Sequence, residues 1–453
     1  MIVSPAFWGK RFAVLGLARS GLATVRTLVE SGASVTAWDS REEARAIVPA
    51  GAKLGDPMKI DLAGFAGIVV SPGVPLNTHP IAARAKEAGV PVIGDIELFA
   101  MARASLPQHK VVGITGTNGK STTTALIHHI LKTAGVPATM GGNIGLPILG
   151  QEPLPAGGVY VLELSSFQID LTHSLACDVA VITNITPDHL DRYDGFGGYA
   201  ASKAWLFAMQ QPGQVAVIAV DDDETRALAE RLSTPPALPL AMEGMLGSAI
   251  PMPMPATGPT VVEVTAGTVK DQSAWPALQG PHNAQNVAVA VAVARALRIT
   301  KAVIQRALET YPGLPHRMER VAEIGGVLYV NDSKATNATS AAPALGAYPR
   351  IHWILGGRRK TDDLDACKPF YGHVVAAYTI GESAELFEKI LLEAGIHATN
   401  CGTLESAVRQ AANVARLGET VLLSPACASY DQFSDYEARG EAFRVAVAGL
   451  EAR

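Results

Sequence analysis

The sequence predicts an α/β protein with three domains in series. Short apolar runs, typical of buried strands, alternate with helical stretches along most of the 453 residues. Several of these runs end in clusters rich in Gly, Ser, Asn and Asp. Strands that alternate with helices form parallel sheets, and such sheets bind ligands at the carboxyl ends of their strands. The length fits about two to four domains, and three blocks of alternating elements favour three.

The elements of each block follow from hydrophobic pattern and turn residues. In the first block we predict strands at 11–17, 34–39 and from 68, and a helix at 20–30. In the second we predict strands at 111–115, 159–164, 179–183 and 215–220, a helix at 120–134 and a buried helix at 287–297. In the third we predict strands at 327–331, 352–355, 374–380 and 421–424, and a helix at 404–415. Residues 233–259, rich in Pro, Met and Ala, are interpreted as a peripheral excursion.

Composition narrows the class of protein. The formal net charge is −5, from 37 basic and 42 acidic residues, so the basic excess of a nucleic-acid-binding protein is missing. The four cysteines include no C-x-x-C pair, which favours reduced thiols over a zinc site or a disulfide framework. The longest apolar run, at 287–294, is shorter than the roughly 18 residues of a membrane helix. We therefore expect a soluble, cytoplasmic protein that binds neither nucleic acid nor membrane.

The strongest motif is G-I-T-G-T-N-G-K-S-T at 113–122, between a predicted strand and a predicted helix. Its glycines allow backbone N–H groups to approach phosphate oxygens, and Lys120 adds positive charge at the β- and γ-phosphates. The hydroxyl of Ser121 or Thr122 can bind Mg²⁺. Ile114 stands where the P-loop pattern has its first Gly. Strand, turn, Lys-Ser-Thr and helix in this order nevertheless indicate an ATP-phosphate site.

Three further residues can complete a metal and phosphate site. Glu163 closes a predicted strand, His189 lies in the polar segment at 184–191, and Lys203 follows on a predicted helix. Mg²⁺ keeps most of its water and phosphate oxygens, so one carboxylate with one or two partners suffices. Each residue alone is a weak signal, since an isolated His is usually structural and a helix Lys is usually solvated.

The loop G-L-A-R-S-G at 16–21, with Asp39 about twenty residues further on, imitates a dinucleotide-binding fingerprint. Ala18 replaces the middle glycine of that pattern. The pattern leaves open whether this loop is a structural turn or a nucleotide site.

In the third block, three predicted strands end in small polar and basic residues, at 331–337, 356–360 and 424–429. If these strands share one sheet edge, that edge suits an anionic small molecule. Cys427 has no nearby His partner in the sequence, so a packing role is favoured over a nucleophile.

Together these residues resemble the Mur ligases of peptidoglycan synthesis, over essentially the whole chain. The segment T-G-T-N-G-K-S-T at 115–122 looks like their ATP loop, and 332–337 and 424–429 look like the members that add D-glutamate. The resemblance implies ATP-dependent addition of D-glutamate to UDP-N-acetylmuramoyl-L-alanine through an acyl phosphate, and so a role in cell-wall synthesis, cell shape and cell division. It implies a Rossmann-like UDP-precursor domain at 1–98, a central P-loop ATP-binding domain at 99–313 and a Rossmann-like amino-acid-binding domain at 314–453.

The resemblance also assigns residues. It assigns catalytic roles to Lys120, Lys203, His189 and Lys334. ATP is held by Gly116, Thr117, Asn118, Gly119, Lys120, Ser121, Thr122, Asn286, Arg317 and Asp332. Mg²⁺ is held by Ser121, Glu163, His189 and a CO₂-derived carbamate on Lys203. The UDP substrate is held by Leu17, Ala18, Arg19, Ser20, Asp39, Ser40, Arg41, Gly73 and Asn143, and D-glutamate by Thr336, Lys360, Ser429 and Tyr436.

Two positions depart from the family pattern as we expect it. Tyr436 stands where Phe is expected, and Arg358 stands where a small or acidic residue is expected. We expect a monomer whose partners are its small-molecule substrates. Three alternatives stay open: a related ligase that adds another amino acid or extends folate, an NAD-dependent oxidoreductase suggested by the loop at 16–21, and a nucleotide-gated binding protein without catalysis.

Overall fold

The computed structural model describes residues 1–188, 190–234 and 258–451. His189 and most of the 233–259 excursion lie outside these ranges, and what was predicted for them stays a prediction. The chain forms two compact units. The first comprises Met1–Lys270 with Ala284–Leu308, and the second Asp271–Asn283 with Glu309–Arg453.

The first unit opens with a parallel sheet of five strands in the order β3-β2-β1-β4-β5. Its strands are β1 Arg11–Leu15, β2 Ser34–Trp38, β3 Lys53–Leu54, β4 Gly67–Val70 and β5 Val92–Ile93. Its helices are α1 Arg19–Glu30, α2 Glu42–Ala46, α3 Ile81–Ala88 and α4 Asp95–Ala102. Alternate residues of β1 belong to two different apolar clusters, so the sheet is covered on both faces.

The second sheet of this unit has six parallel strands in the order β11-β10-β9-β6-β8-β7. Its strands are β6 His109–Thr115, β7 Ala138–Gly142, β8 Gly158–Glu163, β9 Val179–Ile182, β10 Val215–Ala219 and β11 Thr260–Val264. The helices that follow are α5 Lys120–Thr133, α6 Ser166–Asp170, α7 Gly195–Ala208, α8 Asp223–Ser233, α9 Pro281–Ala296 and α10 Lys301–Thr310. Helix α9 confirms the helix predicted at 287–297.

Buried polar contacts join these two sheets into one unit. The carboxylate of Glu97 accepts hydrogen bonds from the backbone N–H groups of His173 and Ser174 at 2.7 and 2.9 Å. The Ser174 hydroxyl donates to the same carboxylate at 2.7 Å. Helix α4, which carries Glu97, runs through the predicted domain boundary at 98/99. That boundary and the one at 313/314 stay predictions.

The second unit holds a six-stranded sheet in the order β12-β13-β17-β14-β15-β16. Its strands are β12 Glu319–Ile324, β13 Val327–Asn331, β14 Ile351–Gly356, β15 Val374–Ile380, β16 Ala398–Gly402 and β17 Thr420–Leu423. Its helices are α11 Ala338–Leu345, α12 Ala384–Glu393, α13 Leu404–Val414 and α14 Tyr436–Glu451. The strands are parallel except β12, which runs antiparallel to β13 across the tight turn at Gly325 and Gly326.

The α/β prediction with three parallel-sheet domains is confirmed, apart from the antiparallel edge strand β12. None of the six side chains of β12 is fully buried: four are partly buried and two are exposed. Its apolar pattern is therefore too weak to predict from sequence. Among the described residues, no helix combines the length and apolar character needed to cross a lipid bilayer.

Candidate active site

The phosphate loop connects β6 to α5, and its glycines are needed for close packing. A Cβ atom on Gly116 would lie 2.0 Å from the Thr183 hydroxyl oxygen, and one on Gly119 would lie 2.3 Å from Asn286 Oδ1. Any larger residue at either position would displace its neighbour. The loop therefore delivers the backbone N–H groups at the start of the 14-residue helix α5 to one place, where helix N-termini favour phosphate.

Two lysines share an acceptor on this loop. Lys120 Nζ donates to the carbonyl oxygens of Gly116 and Thr117 at 3.0 and 2.8 Å, and Lys203 Nζ donates to the Gly116 oxygen at 2.8 Å. Lys203 is 1% exposed, and its Nζ lies 4.4 Å from the centroid of the Tyr199 ring. Burial, and then the charge of Lys120, lower the pKa of Lys203 well below its ordinary value.

Glu163 has the geometry expected of a metal ligand. It ends β8, in register with Ile114 on the neighbouring strand β6, so it lies at the same sheet edge as the loop. The side chain is 2% exposed. Its Oε1 accepts from Asn143 Nδ2 at 2.9 Å, whereas its buried Oε2 has no hydrogen-bond partner among the described residues. A buried, unpaired carboxylate oxygen fits a cation.

The rest of the predicted metal set is only partly described. Ser121 is buried in the first turn of α5. Within the described ranges, no cluster of three His, Cys, Asp or Glu side chains occurs that could hold a metal. One carboxylate and one hydroxyl, with phosphate oxygens and water, match the small protein contribution that Mg²⁺ requires.

At the first sheet, Asp39 organises its own loop. One carboxylate oxygen accepts the Leu17 N–H at 2.7 Å, and the other accepts the Arg41 N–H and Nε at 2.9 and 3.1 Å. Burial would raise the pKa of Asp39, but these hydrogen bonds outweigh it and lower the pKa to about 2. In a dinucleotide-binding fingerprint the acidic residue binds a ribose hydroxyl. Both oxygens of Asp39 accept hydrogen bonds from the chain itself, so its contacts here are those of a residue that shapes the loop. The other predicted UDP contacts near this edge are Ala18, Arg19, Ser20, Ser40 and Gly73, all exposed or partly exposed.

In the second unit, the three predicted strand ends do share an edge, because β13, β17 and β14 are neighbours and parallel. Asp332 follows β13 and is buried; it accepts the Ser424 hydroxyl at 2.8 Å and the Met318 N–H at 3.2 Å. Burial raises the pKa of Asp332 to about 7, although these hydrogen bonds and two arginines oppose the rise. Arg317, the other predicted ATP contact of this unit, is partly buried next to His316.

The predicted D-glutamate residues lie on this edge or on the following helix. Lys334 Nζ lies 3.7 Å from the centroid of the Tyr436 ring, a close cation–π contact. Ser429 is buried after β17, Thr336 is partly buried, and Lys360 is exposed after β14. The exposed Arg358, an unexpected residue, lies 3.5 Å from the carboxylate of Glu382.

Sequence reasoning missed Arg439, which lies beneath this edge. Its guanidinium is 1% exposed. It donates to the Ser333 hydroxyl and carbonyl oxygens at 2.9 and 2.8 Å, and to the Cys427 carbonyl oxygen at 3.0 Å. Burial lowers the pKa of Arg439 to about 10. In sequence it is an ordinary charged residue of a helix, and only the fold buries it. Cys427 is also buried, which raises the pKa of its thiol to about 11 and fits a packing role.

A glycine-rich strand-to-helix loop with a lysine, next to a buried carboxylate oxygen without a partner among the described residues, is typical of proteins that bind nucleotide phosphates through a P-loop. Family models match three stretches of the chain: Mur ligase MurD-like N-terminal domain at 10–94, Mur ligase middle domain at 114–294, and Mur ligase glutamate ligase domain at 316–427. This chain belongs to the Mur ligase family.

Relatives with known names match along their full length. The chain is 61% identical over 452 residues to the UDP-N-acetylmuramoylalanine–D-glutamate ligase of Novosphingobium aromaticivorans, covering 99% of this chain and 97% of that protein. It is 60% identical to the protein of the same name from Sphingopyxis alaskensis, covering 100% of both.

Solved structures share the fold at low identity. The UDP-N-acetylmuramate-alanine ligase MurC of Thermotoga maritima aligns with a TM-score of 0.59 at 16% identity, covering 98% of this chain and 99% of that one. MurF ligase from the same organism, in complex with ADP, aligns with a TM-score of 0.57 at 16% identity, with the same coverage. These similarities support the three-domain α/β fold.

Proposed function

We propose that this chain joins D-glutamate to UDP-N-acetylmuramoyl-L-alanine in an ATP-dependent step of peptidoglycan precursor synthesis. The observation that carries the proposal is the convergence of Lys120 and Lys203 on the Gly116 carbonyl oxygen. At the same sheet edge, Glu163 has a buried oxygen with no hydrogen-bond partner in the described part of the chain. This arrangement suits transfer of a γ-phosphoryl group. The choice of D-glutamate rests on the names of relatives that match along the full chain.

The chemistry requires activation of a carboxylate. A carboxylate does not acylate an amine at neutral pH, because its oxygen is a poor leaving group. Transfer of the γ-phosphoryl group of ATP to the terminal carboxylate of the UDP substrate gives an acyl phosphate and ADP. The amine of D-glutamate then attacks the acyl carbon, a tetrahedral oxyanion forms, and phosphate leaves as the amide is made.

For the first step, Lys120 neutralises charge that develops on the transferring phosphoryl group. To bind the nucleotide, Lys120 must exchange its two carbonyl acceptors on the loop for phosphate oxygens. Because the loop is held by close packing at Gly116 and Gly119, this exchange needs only side-chain rotation. The same loop, with Thr117, Asn118, Ser121, Thr122 and Asn286, forms the proposed ATP site of the first unit. Arg317 and Asp332, in the second unit, are assigned to ATP by the resemblance to Mur ligases.

Glu163 and Ser121, with His189 and a carbamate on Lys203, would hold Mg²⁺. The ion, when bound, supplies positive charge that stabilises the phosphate oxygens during transfer. Asn143 fixes the orientation of the Glu163 carboxylate through its hydrogen bond to Oε1. A carbamate on Lys203 would convert a buried cation into an anion. Its formation needs a neutral amine, and the lowered pKa of Lys203 favours that form.

For the second step, the C-terminal edge is proposed to bind D-glutamate. Lys334 and Lys360 supply positive charge for its two carboxylates, and Thr336, Ser429 and Tyr436 supply hydroxyl groups. Holding the amine next to the acyl phosphate lowers the entropic barrier of the attack. The UDP moiety is assigned to the loops around Leu17, Asp39 and Gly73, with Ala18, Arg19, Ser20, Ser40 and Arg41.

The proposal includes three domains, with limits at 1–98, 99–313 and 314–453. It also includes a monomeric state and a location in the cytoplasm.

The decisive assay measures ADP and phosphate formed from ATP with UDP-N-acetylmuramoyl-L-alanine, with and without D-glutamate. L-glutamate, L-alanine, L-lysine and glycine provide the comparison panel. Lys120→Ala should abolish D-glutamate-dependent phosphate release, whereas Lys110→Ala, an exposed lysine on the same strand–loop segment, should retain it. Release that is independent of D-glutamate, or greater with another amino acid, would refute the assignment.

A further inference from the structure

We propose that Thr183 and Asn184 are positioning residues for the phosphate loop, which hold its Asn118 peptide group and link it through Gln285 to helix α9. Both residues follow β9, the strand next to β6. The proposal rests on the ATP site of the proposed function, but it does not depend on the identity of the amino acid that is added.

Three side-chain hydrogen bonds converge on one residue of the loop. The Thr183 hydroxyl donates to the carbonyl oxygen of Asn118 at 2.6 Å. The Asn184 side chain donates to the same oxygen at 3.1 Å and accepts the Asn118 N–H at 2.8 Å. The backbone of Asn184 also accepts the Thr117 N–H at 2.9 Å. Asn118 is therefore the residue through which β9 holds the loop, and its N–H donates to Asn184.

The hydrogen bonds continue from Asn184 into helix α9, which carries the proposed ATP contact Asn286. Asn184 Nδ2 donates to Gln285 Oε1 at 3.2 Å, and Gln285 Nε2 donates to Asp221 Oδ2 at 2.8 Å. Gln285 immediately precedes Asn286, whose Oδ1 accepts the Thr123 hydroxyl at 3.1 Å. An amide–amide–carboxylate chain thus connects the phosphate loop to the start of α9.

The residue types suit this task. The loop must stay rigid while a triphosphate with several negative charges binds next to it. An amide can donate and accept at the same peptide group without a charge, whereas a carboxylate there would repel the phosphates. The Thr183 side chain is fully buried, so its hydroxyl is held in place on the inner side of the exposed Asn118. The fixed loop presents its remaining N–H groups to the phosphates without first losing conformational entropy, which favours binding.

The test measures nucleotide affinity directly, by calorimetric titration of Mg²⁺·ATP or of ADP in the absence of both other substrates. Thr183→Val keeps the shape and removes the hydroxyl; Asn184→Ala removes the amide. Thr183→Val should weaken nucleotide binding by about fivefold, the effect of one hydrogen bond, and Asn184→Ala, which removes two bonds to Asn118, should weaken it more. The double variant should lose more than the product of the single effects, because the Asn118 oxygen then loses both side-chain donors. Gln285→Leu should show a smaller loss.

Controls separate positioning from general damage. Thr268→Val removes a hydroxyl that bonds only within its own turn and should leave nucleotide affinity unchanged. The affinity for UDP-N-acetylmuramoyl-L-alanine and the melting temperature should be close to wild type in Thr183→Val.

Unchanged nucleotide affinity in both single variants would overturn the proposal, as would an equal loss of affinity for nucleotide and UDP substrate. If Asn184→Ala does not fold, Thr183→Val and Gln285→Leu decide. A failure of D-glutamate-dependent turnover would refute the proposed function and leave this binding result standing.

Discussion

Lys120 and Lys203 donate to the same carbonyl oxygen, that of Gly116, at 3.0 and 2.8 Å. Two ammonium groups that share one acceptor repel each other, and the more buried group gains most by losing its proton. Lys203 is the buried one, and its pKa is lowered accordingly. Of the two, Lys203 is therefore the lysine whose neutral amine form the fold favours.

The first prediction concerns the carbamate. Carbon dioxide reacts only with a neutral amine, so the lowered pKa of Lys203 moves the pH range of carbamate formation down towards neutrality. We expect a ¹³C carbonyl resonance from the wild-type protein in ¹³C-bicarbonate near neutral pH, which weakens as pH falls and Lys203 gains a proton. The resonance should be absent in Lys203→Arg and present in Lys110→Arg. A signal that persists in Lys203→Arg would contradict the assignment.

The second prediction concerns the unpaired oxygen of Glu163. Glu163→Gln keeps an oxygen for the Asn143 amide but replaces the anionic Oε2 by an NH₂ group. The concentration of Mg²⁺ needed for half-maximal activity should rise about tenfold or more. Binding of Mn²⁺ in the presence of ADP, followed by electron paramagnetic resonance, should weaken in parallel.

The exposed Glu87 offers a matched control for that variant, and Glu87→Gln should change neither measurement. Ordinary Mg²⁺ dependence and Mn²⁺ affinity in Glu163→Gln would remove Glu163 from the metal site.

The third prediction concerns the packing of α14 against His316. A Cβ atom on Gly440 would lie 2.1 Å from His316 Nδ1. Gly440→Ala must therefore displace the imidazole and break its 3.0 Å hydrogen bond with Asn331 Nδ2. We expect a loss of about 1–3 kcal/mol in the free energy of unfolding, with weaker nucleotide binding because Arg317 adjoins His316.

Gly449 lies on the same helix, and a Cβ there would meet no atom within 4 Å. Gly449→Ala should instead be neutral or stabilise by up to about 1 kcal/mol. Urea denaturation measures both variants, and equal stability of the two would show that the contact with His316 is unimportant.

The fourth prediction concerns the pH dependence of stability. Burial raises the pKa of Asp332 to about 7, so the folded protein holds this proton more tightly than the unfolded chain. The stability contributed by the carboxyl is present below the unfolded pKa and is lost as pH rises towards about 7. Asp332→Asn cannot ionise and should not show that loss.

Urea denaturation at about pH 4 and about pH 8 tests this difference. Relative to wild type, the variant should gain stability on going to the higher pH. Asp362→Asn, an exposed change in the same unit, should leave the dependence on pH as in wild type. A parallel pH profile for wild type and Asp332→Asn would contradict the raised pKa.

Several features of the site could be predicted from sequence because their signals are local. The phosphate loop was found from the order of strand, glycines, lysine and helix, and Glu163 from its position at a strand end. Tyr199 and Thr183 were missed because each contacts the loop from a distant segment: the Tyr199 hydroxyl lies 3.2 Å from the Thr117 hydroxyl, and the Thr183 hydroxyl donates to Asn118. The residue assignments themselves stay predictions until the variants are measured.

The sequence by itself determined the alternation of strands and helices, the glycine-rich turn and the family, because hydrophobic period and turn chemistry act over a few neighbouring residues. Only the tertiary structure decided that Lys203 is buried and that Arg439 lies beneath the strand ends of the second unit's sheet. It also decided that Asn118 is held by the two residues that follow β9. Burial and long-range hydrogen bonds depend on which segments the sheet brings together, and that information is spread over the whole chain.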